Sequence, residues 1–110
     1  MVNMPARKKF ELIYAPVVKR HLRAIEAKHH SLIREQIESQ LQFEPDVETR
    51  NRKPLKRTPS LRARWEIRFG SKNRFRVFYL VNRDSMRVEV LAIGEKDGAR
   101  LLIEGKEVEL

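Results

Sequence analysis

In "KKFELIYAP", Phe10, Leu12 and Tyr14 fall on one face of an extended chain and Glu11 and Ile13 on the other, so the alternation predicts a strand over Lys8–Tyr14. Ala15-Pro16 ends it, and Pro16 suits the first turn of a helix, where a missing N–H costs nothing. The period then changes. Val18, Leu22 and Ile25 recur at helical spacing among Lys19, Arg20, Arg23 and Glu26, which predicts an amphipathic helix to about Lys28. Ile33, Ile37 and Leu41 repeat the pattern, with Ser31 as N-cap and Pro45 as stop. The short break at His29-His30 predicts a helical hairpin.

Residues 46–63 lack periodicity and read as a long basic loop, with a short extended piece around Arg52 to Lys56. Three strands follow. Arg64–Phe69 places Trp65, Ile67 and Phe69 on one face; "GSKN" is a turn; Arg74–Val81 places Phe75, Val77, Tyr79 and Val81 together. After the turn "NRDS", Met86–Ile93 is apolar on both faces towards its end, as a central strand would be. A turn at Asp97-Gly98 leads to a short C-terminal extension, with extended pieces at Leu101–Ile103 and Glu107–Leu110 flanking Gly105. The expectation is a single α+β domain over residues 1–110. An N-terminal strand and a two-helix hairpin pack on one face of a mainly antiparallel four-stranded sheet.

Composition narrows the class. At 110 residues there is room for one modest core, and 41 % hydrophobic with 35 % charged residues suits a folded chain rather than a disordered one. The absence of cysteine excludes disulfides and thiolate metal sites. No apolar run approaches the roughly 20 residues of a membrane span, and "MVNMPARKKF" lacks the apolar core of a signal peptide. A cytoplasmic protein without membrane contact is expected. The net charge of +9 is unevenly placed: Arg50 to Arg76 holds eleven Lys or Arg and one acid, Glu66, while the remainder nearly balances. Such a concentrated field attracts polyanions.

The alternation puts Arg64, Arg68, Arg74 and Arg76 on the face of the hairpin away from the core, if the strands pair around Gly70–Asn73. Arginine grips phosphate with paired hydrogen bonds, and Arg50, Arg52, Lys53, Lys56 and Arg57 of the loop would border the same surface. Like charges facing each other on a sheet repel, so the cluster points to an anionic ligand. Glu66 sits among these cations, either as a charge-balancing ion pair or as a general base kept ionised. His21, His29 and His30 lie on the helices and read as surface residues; Tyr14 and Tyr79 alternate with core positions and read as core. No metal-ligand spacing and no Ser-His-Asp order is present, and no cofactor is called for. Phosphoryl transfer can be driven by positioning and by cations around developing charge. A basic site of this kind can therefore cleave RNA, whose 2′-hydroxyl supplies the nucleophile.

The element order, with "RNRKPL", "WEIRFGSKNRFRVFY" and "VEVLAIGEKDG", resembles the RelE/ParE superfamily of toxins from bacterial type II toxin–antitoxin modules, from about Phe10 to Asp97. The resemblance implies a small α+β toxin held by a cognate antitoxin in a hetero-oligomer, with mRNA and the ribosome as targets. It implies that Arg76 is the hairpin arginine at the scissile phosphate, that Arg68 and Arg64 are neighbouring basic positions, and that Lys96 is the basic residue after the central strand. Two departures stand out: Glu66 occupies a position that some members give to Lys, and Leu101 to Leu110 contains no Tyr or His. The expected function is a ribosome-dependent, metal-independent mRNA endoribonuclease that inhibits translation. The alternatives are a ParE-like inhibitor of DNA gyrase and a non-toxic RNA-binding remnant.

Overall fold

The computed structural model describes residues 8–56 and 62–109. Strand β1 (Glu11–Tyr14) leads into helix α1 (Val18–Arg23), a 3-10 turn (Ala27–His29) and helix α2 (His30–Leu41). Strands β2 (Arg52–Pro54), β3 (Trp65–Phe69), β4 (Phe75–Asn82), β5 (Arg87–Asp97), β6 (Arg100–Ile103) and β7 (Lys106–Glu107) follow. The sheet runs β2-β3-β4-β5-β6-β7 and is antiparallel except where β1 pairs parallel with β5. The α+β class is as expected, and the hairpin pairs with Phe69 facing Phe75 and Arg68 facing Arg76. The sheet has seven strands rather than four, because the extended piece of the loop pairs as β2 and the C-terminal extension folds back as β6 and β7. Among the described residues no helix is long and apolar enough to cross a membrane.

The central strand is longer than its apolar stretch suggests, running on through Gly94, Glu95 and Lys96 to Asp97. Its two halves have different neighbours on one edge: β1 pairs with Arg87 to Val90, and β6 with Glu95 to Asp97. The register against β4 slips between Phe78 and Tyr79, leaving Leu91 as the extra residue of a bulge. The bulge lets Val88, Val90 and Ile93 all join the core under the helices, with Val18, Ile25, Ile33, Ile37, Leu41, Val77 and Tyr79. Leu91 and Ala92 instead join Phe78 in a second cluster on the opposite face, closed by Ala63, Leu101 and Ile103. That face is therefore half apolar and covered, not given wholly to arginines.

Helix α1 is shorter than its apolar repeat predicts, while α2 spans its repeat in full, and His30 explains how α1 ends. Glu26 leaves helical geometry at ψ 135, breaking the first helix, and α2 begins at His30 without a side-chain cap from Ser31. His30 Nε2 lies 2.7 Å from the Leu22 carbonyl and 2.8 Å from that of Ile25. Both are acceptors, so this nitrogen carries the proton and closes the open end of α1. His29 packs against Phe75. His21 is buried, against expectation, and its Nδ1 accepts the Ile93 N–H at 3.2 Å. That N–H falls in the gap between β1 and β6 on the edge of β5, so the imidazole replaces a missing strand partner. Tyr79 is core as expected and its hydroxyl donates to the Pro45 carbonyl at 2.6 Å. Tyr14 is 42 % exposed rather than core, because β1 is an edge strand at that point.

Two outcomes follow from this packing. A Cβ on Gly94 would meet Leu101 Cδ1 at 2.9 Å and the Leu102 carbonyl at 3.1 Å. Gly94→Ala therefore pushes β6 off β5 and should lower stability by about 1–3 kcal/mol in urea unfolding. Burial of His21 disfavours its imidazolium and holds its pKa below the ordinary 6.5, a shift that Glu104 opposes and Arg20 reinforces. The unfolded chain thus binds the extra proton first, and stability falls as pH drops below about 6.5. His21→Asn keeps an acceptor for Ile93 and removes this contribution. Unfolding free energies compared between about pH 7.5 and about pH 5.5 should show a smaller loss in the variant.

Candidate nucleic-acid interface

Arg68 and Arg76 are directly opposite on β3 and β4, an unfavourable pairing for two cations. Glu66, two residues before Arg68 on the same face, resolves it. Its Oε1 accepts the Arg68 Nε–H at 2.8 Å, and its Oε2 lies 3.6 Å from Arg76 Nη1. The Glu66 side chain is 3 % exposed, that of Arg76 12 % and that of Arg68 41 %. Glu66 Oε2 and Arg76 Nε make no hydrogen bond among the described residues. Burial lowers the pKa of the Arg76 guanidinium, with Glu66 opposing and Arg68 adding to the shift; it remains a cation near neutral pH. The arrangement is a carboxylate floor beneath two guanidiniums, one sheltered and one reaching solvent.

The other cations predicted for this surface are dispersed by the fold. Arg64, just before β3, is exposed and extends the ladder through its N–H to the Tyr79 carbonyl at 3.1 Å. Lys53 lies opposite Glu66 in the β2–β3 register and pairs with Glu48 at 3.3 Å. Lys96 is exposed and lies two residues from Gly94, the residue opposite Arg76. Arg50 and Lys56 are exposed on the segments flanking β2. Arg74 does not join the Arg68–Arg76 pair: the 3-10 turn at Ser71–Asn73 takes it out of β4, and its Nε donates to Glu95 at 2.6 Å, over the ring of Phe75. Arg52, expected at the surface, is buried on the helix side, donating to the Val47 carbonyl at 3.1 Å and the Gln40 carbonyl at 2.7 Å. It ties the end of α2 to the loop. Arg57 lies outside the described residues.

Chemically, the Arg68–Arg76 pair can bind a phosphate and stabilise charge that develops on it. The histidines are engaged elsewhere, in α1, its closing contact and the Phe75 packing. The carboxylate of Glu66 faces guanidiniums rather than solvent. Sequence reasoning could locate Glu66 by its solitary sign, but its burial depends on β2, which covers β3 from the other edge.

No family model matches the chain, and no curated protein matches it in sequence. Among solved structures, a chain of the toxin–antitoxin complex RelBE2 from Mycobacterium tuberculosis is similar, with a TM-score of 0.66 and 20 % identity, covering 83 % of this chain and 95 % of that one. The likeness is one of fold. It joins the sequence resemblance at the level of architecture.

Removing the carboxylate isolates the charge problem. Glu66→Ala leaves two facing guanidiniums, one of them sheltered, and breaking a buried pair in this way should cost about 3–5 kcal/mol. Urea midpoints of the variant measured with and without high salt should show partial recovery, since the remaining repulsion is screened where Arg68 meets solvent.

Proposed function

We propose that this chain is the toxin half of a toxin–antitoxin module, an endoribonuclease that cuts mRNA on the ribosome in the cytoplasm and is silenced by a cognate antitoxin. The observation that carries the reading is the Arg68–Arg76 pair seated on buried Glu66. Two guanidiniums held at fixed positions are suited to a phosphate whose charge grows in the transition state. The fold likeness to a toxin–antitoxin complex supports the module and the protein partner.

In the proposed reaction the substrate's 2′-oxygen attacks the adjacent phosphorus and the bond to the 5′-oxygen breaks. The products are a 2′,3′-cyclic phosphate and a 5′-hydroxyl, and the proton lost from the 2′-hydroxyl is matched by the one gained at the 5′-oxygen. Arg76 neutralises the developing charge, and Arg68 holds the same phosphate from the solvent side. Glu66 acts as a positioning residue that keeps both guanidiniums in place. Arg64, Arg50, Lys53 and Lys56 attract the strand without reading its bases. DNA lacks the 2′-hydroxyl and would not be cut by this route.

Inducible expression in bacteria, with primer extension on abundant mRNAs, tests the proposal. The wild type should arrest growth and create new 5′ ends inside translated codons, and Arg76→Ala should lose both effects by at least about 100-fold. Arrest with intact mRNA and an induced DNA-damage response would instead favour gyrase inhibition. Absence of any arrest would favour a non-toxic RNA-binding domain.

A further inference from the structure

Beyond Gly94, at the end of the sheet, a depression of about 470 Å3 is lined by Ser71, Lys72, Arg74, Lys96 and Gly98. Three of these five residues are cations. Glu95 occupies Arg74, with Oε2 2.6 Å from Nε and 2.5 Å from Nη2. Lys72 and Lys96 are exposed, and neither makes an ion pair with a described residue. Their charge is uncompensated at a concave place, where like charges are unfavourable without an anion between them. Lys72 is held at φ 56, ψ 31 and is followed by Asn73 at φ 54. The tight hairpin turn imposes this left-handed conformation on both residues and fixes where the Lys72 side chain leaves the backbone.

The position of the depression fixes what it can hold. Gly94 faces Arg76 across the ladder, and Lys96 is the next residue of β5 on that side. Residues two apart in a strand are roughly 7 Å apart, close to the separation of neighbouring phosphates in an extended single strand. The Arg76 row and the Lys96 row therefore form two successive stations for anions along one line.

We propose that this depression, through Lys72 and Lys96, binds a second phosphate of a single-stranded RNA, next along the strand from the phosphate held by Arg68 and Arg76. The inference rests on the RNA reading of the arginine pair and adds a second site and a path along the sheet to it. Lys72 has no part in the chemistry and acts only on the backbone of the substrate.

The test uses the full chain and a short single-stranded RNA carrying 2′-O-methyl groups, so that binding is read without cleavage. Fluorescence anisotropy is measured against salt for the wild type, the double variant Lys72→Gln/Lys96→Gln and Arg76→Ala, with thermal melting to confirm that each is folded. Each linkage of the RNA is replaced in turn by a neutral methylphosphonate. The double variant should reduce the steepness of log K against log salt by about 1.4, roughly 0.7 for each cation lost on a single strand. One neutral linkage should weaken the wild type and leave the double variant unaffected, and an adjacent linkage should do the same for Arg76→Ala. A double variant with the wild-type salt slope and no insensitive linkage would overturn the site. Duplex DNA competing as well as the RNA would overturn the assignment to a single strand. Wild-type affinity in Arg76→Ala would count against the arginine pair instead, so the two failures are distinct.

Discussion

Two arginines opposite each other on neighbouring strands repel, and a buried carboxylate without partners is costly to desolvate. In this protein each problem answers the other. Glu66 lies beneath the hairpin between Arg68 and Arg76, its charge matched on both oxygens. The carboxylate is held in place by strands on both sides, β2 at one edge and β4 at the other. Guanidiniums supported in this way lose little freedom when an anion arrives. Elsewhere Arg74 is taken up by Glu95 and Arg52 by the core, whereas Arg64 and Arg50 stay exposed.

The long strand β5 organises everything around that cluster. It carries β1 on one half of an edge and β6 on the other, and His21 fills the gap between them. The bulge at Leu91 turns apolar residues to both faces, so the helices cover one side while Ala63, Leu101 and Ile103 cover part of the other. Gly94 permits β6 to lie close beside the arginine face. The C-terminal segment is thus a wall of the basic surface as well as part of the sheet. Along that face Arg64 and Lys96 are exposed, Arg68 reaches solvent and Arg76 is sheltered.

The dispersal of the loop cations sharpens this picture. Arg52 works as an internal anchor, satisfying the carbonyls of Gln40 and Val47 where the chain leaves α2. Arg74 is committed to Glu95 and Phe75. Net charge concentrates positive potential on this side, but the cations left without an internal partner are fewer than the count of Lys and Arg suggests.

Alternation and helical spacing were enough to locate the hairpin, the inward faces of its strands, the two helices and the concentration of charge between Arg50 and Arg76. Those features are local: side-chain period and turn chemistry act over a few residues and leave a direct trace in the chain. The solitary acid in the basic segment was legible too. Its burial was not, nor were the inward turn of Arg52, the loss of Arg74 to Glu95, the pairing of the extended C-terminal pieces onto the sheet or the use of His21 as a stand-in for a missing strand. Each depends on which distant segment packs against the residue. A single chain records its own periodicity but not its neighbours in space, so the tertiary structure alone decided which charges are neutralised inside and which remain available to a ligand.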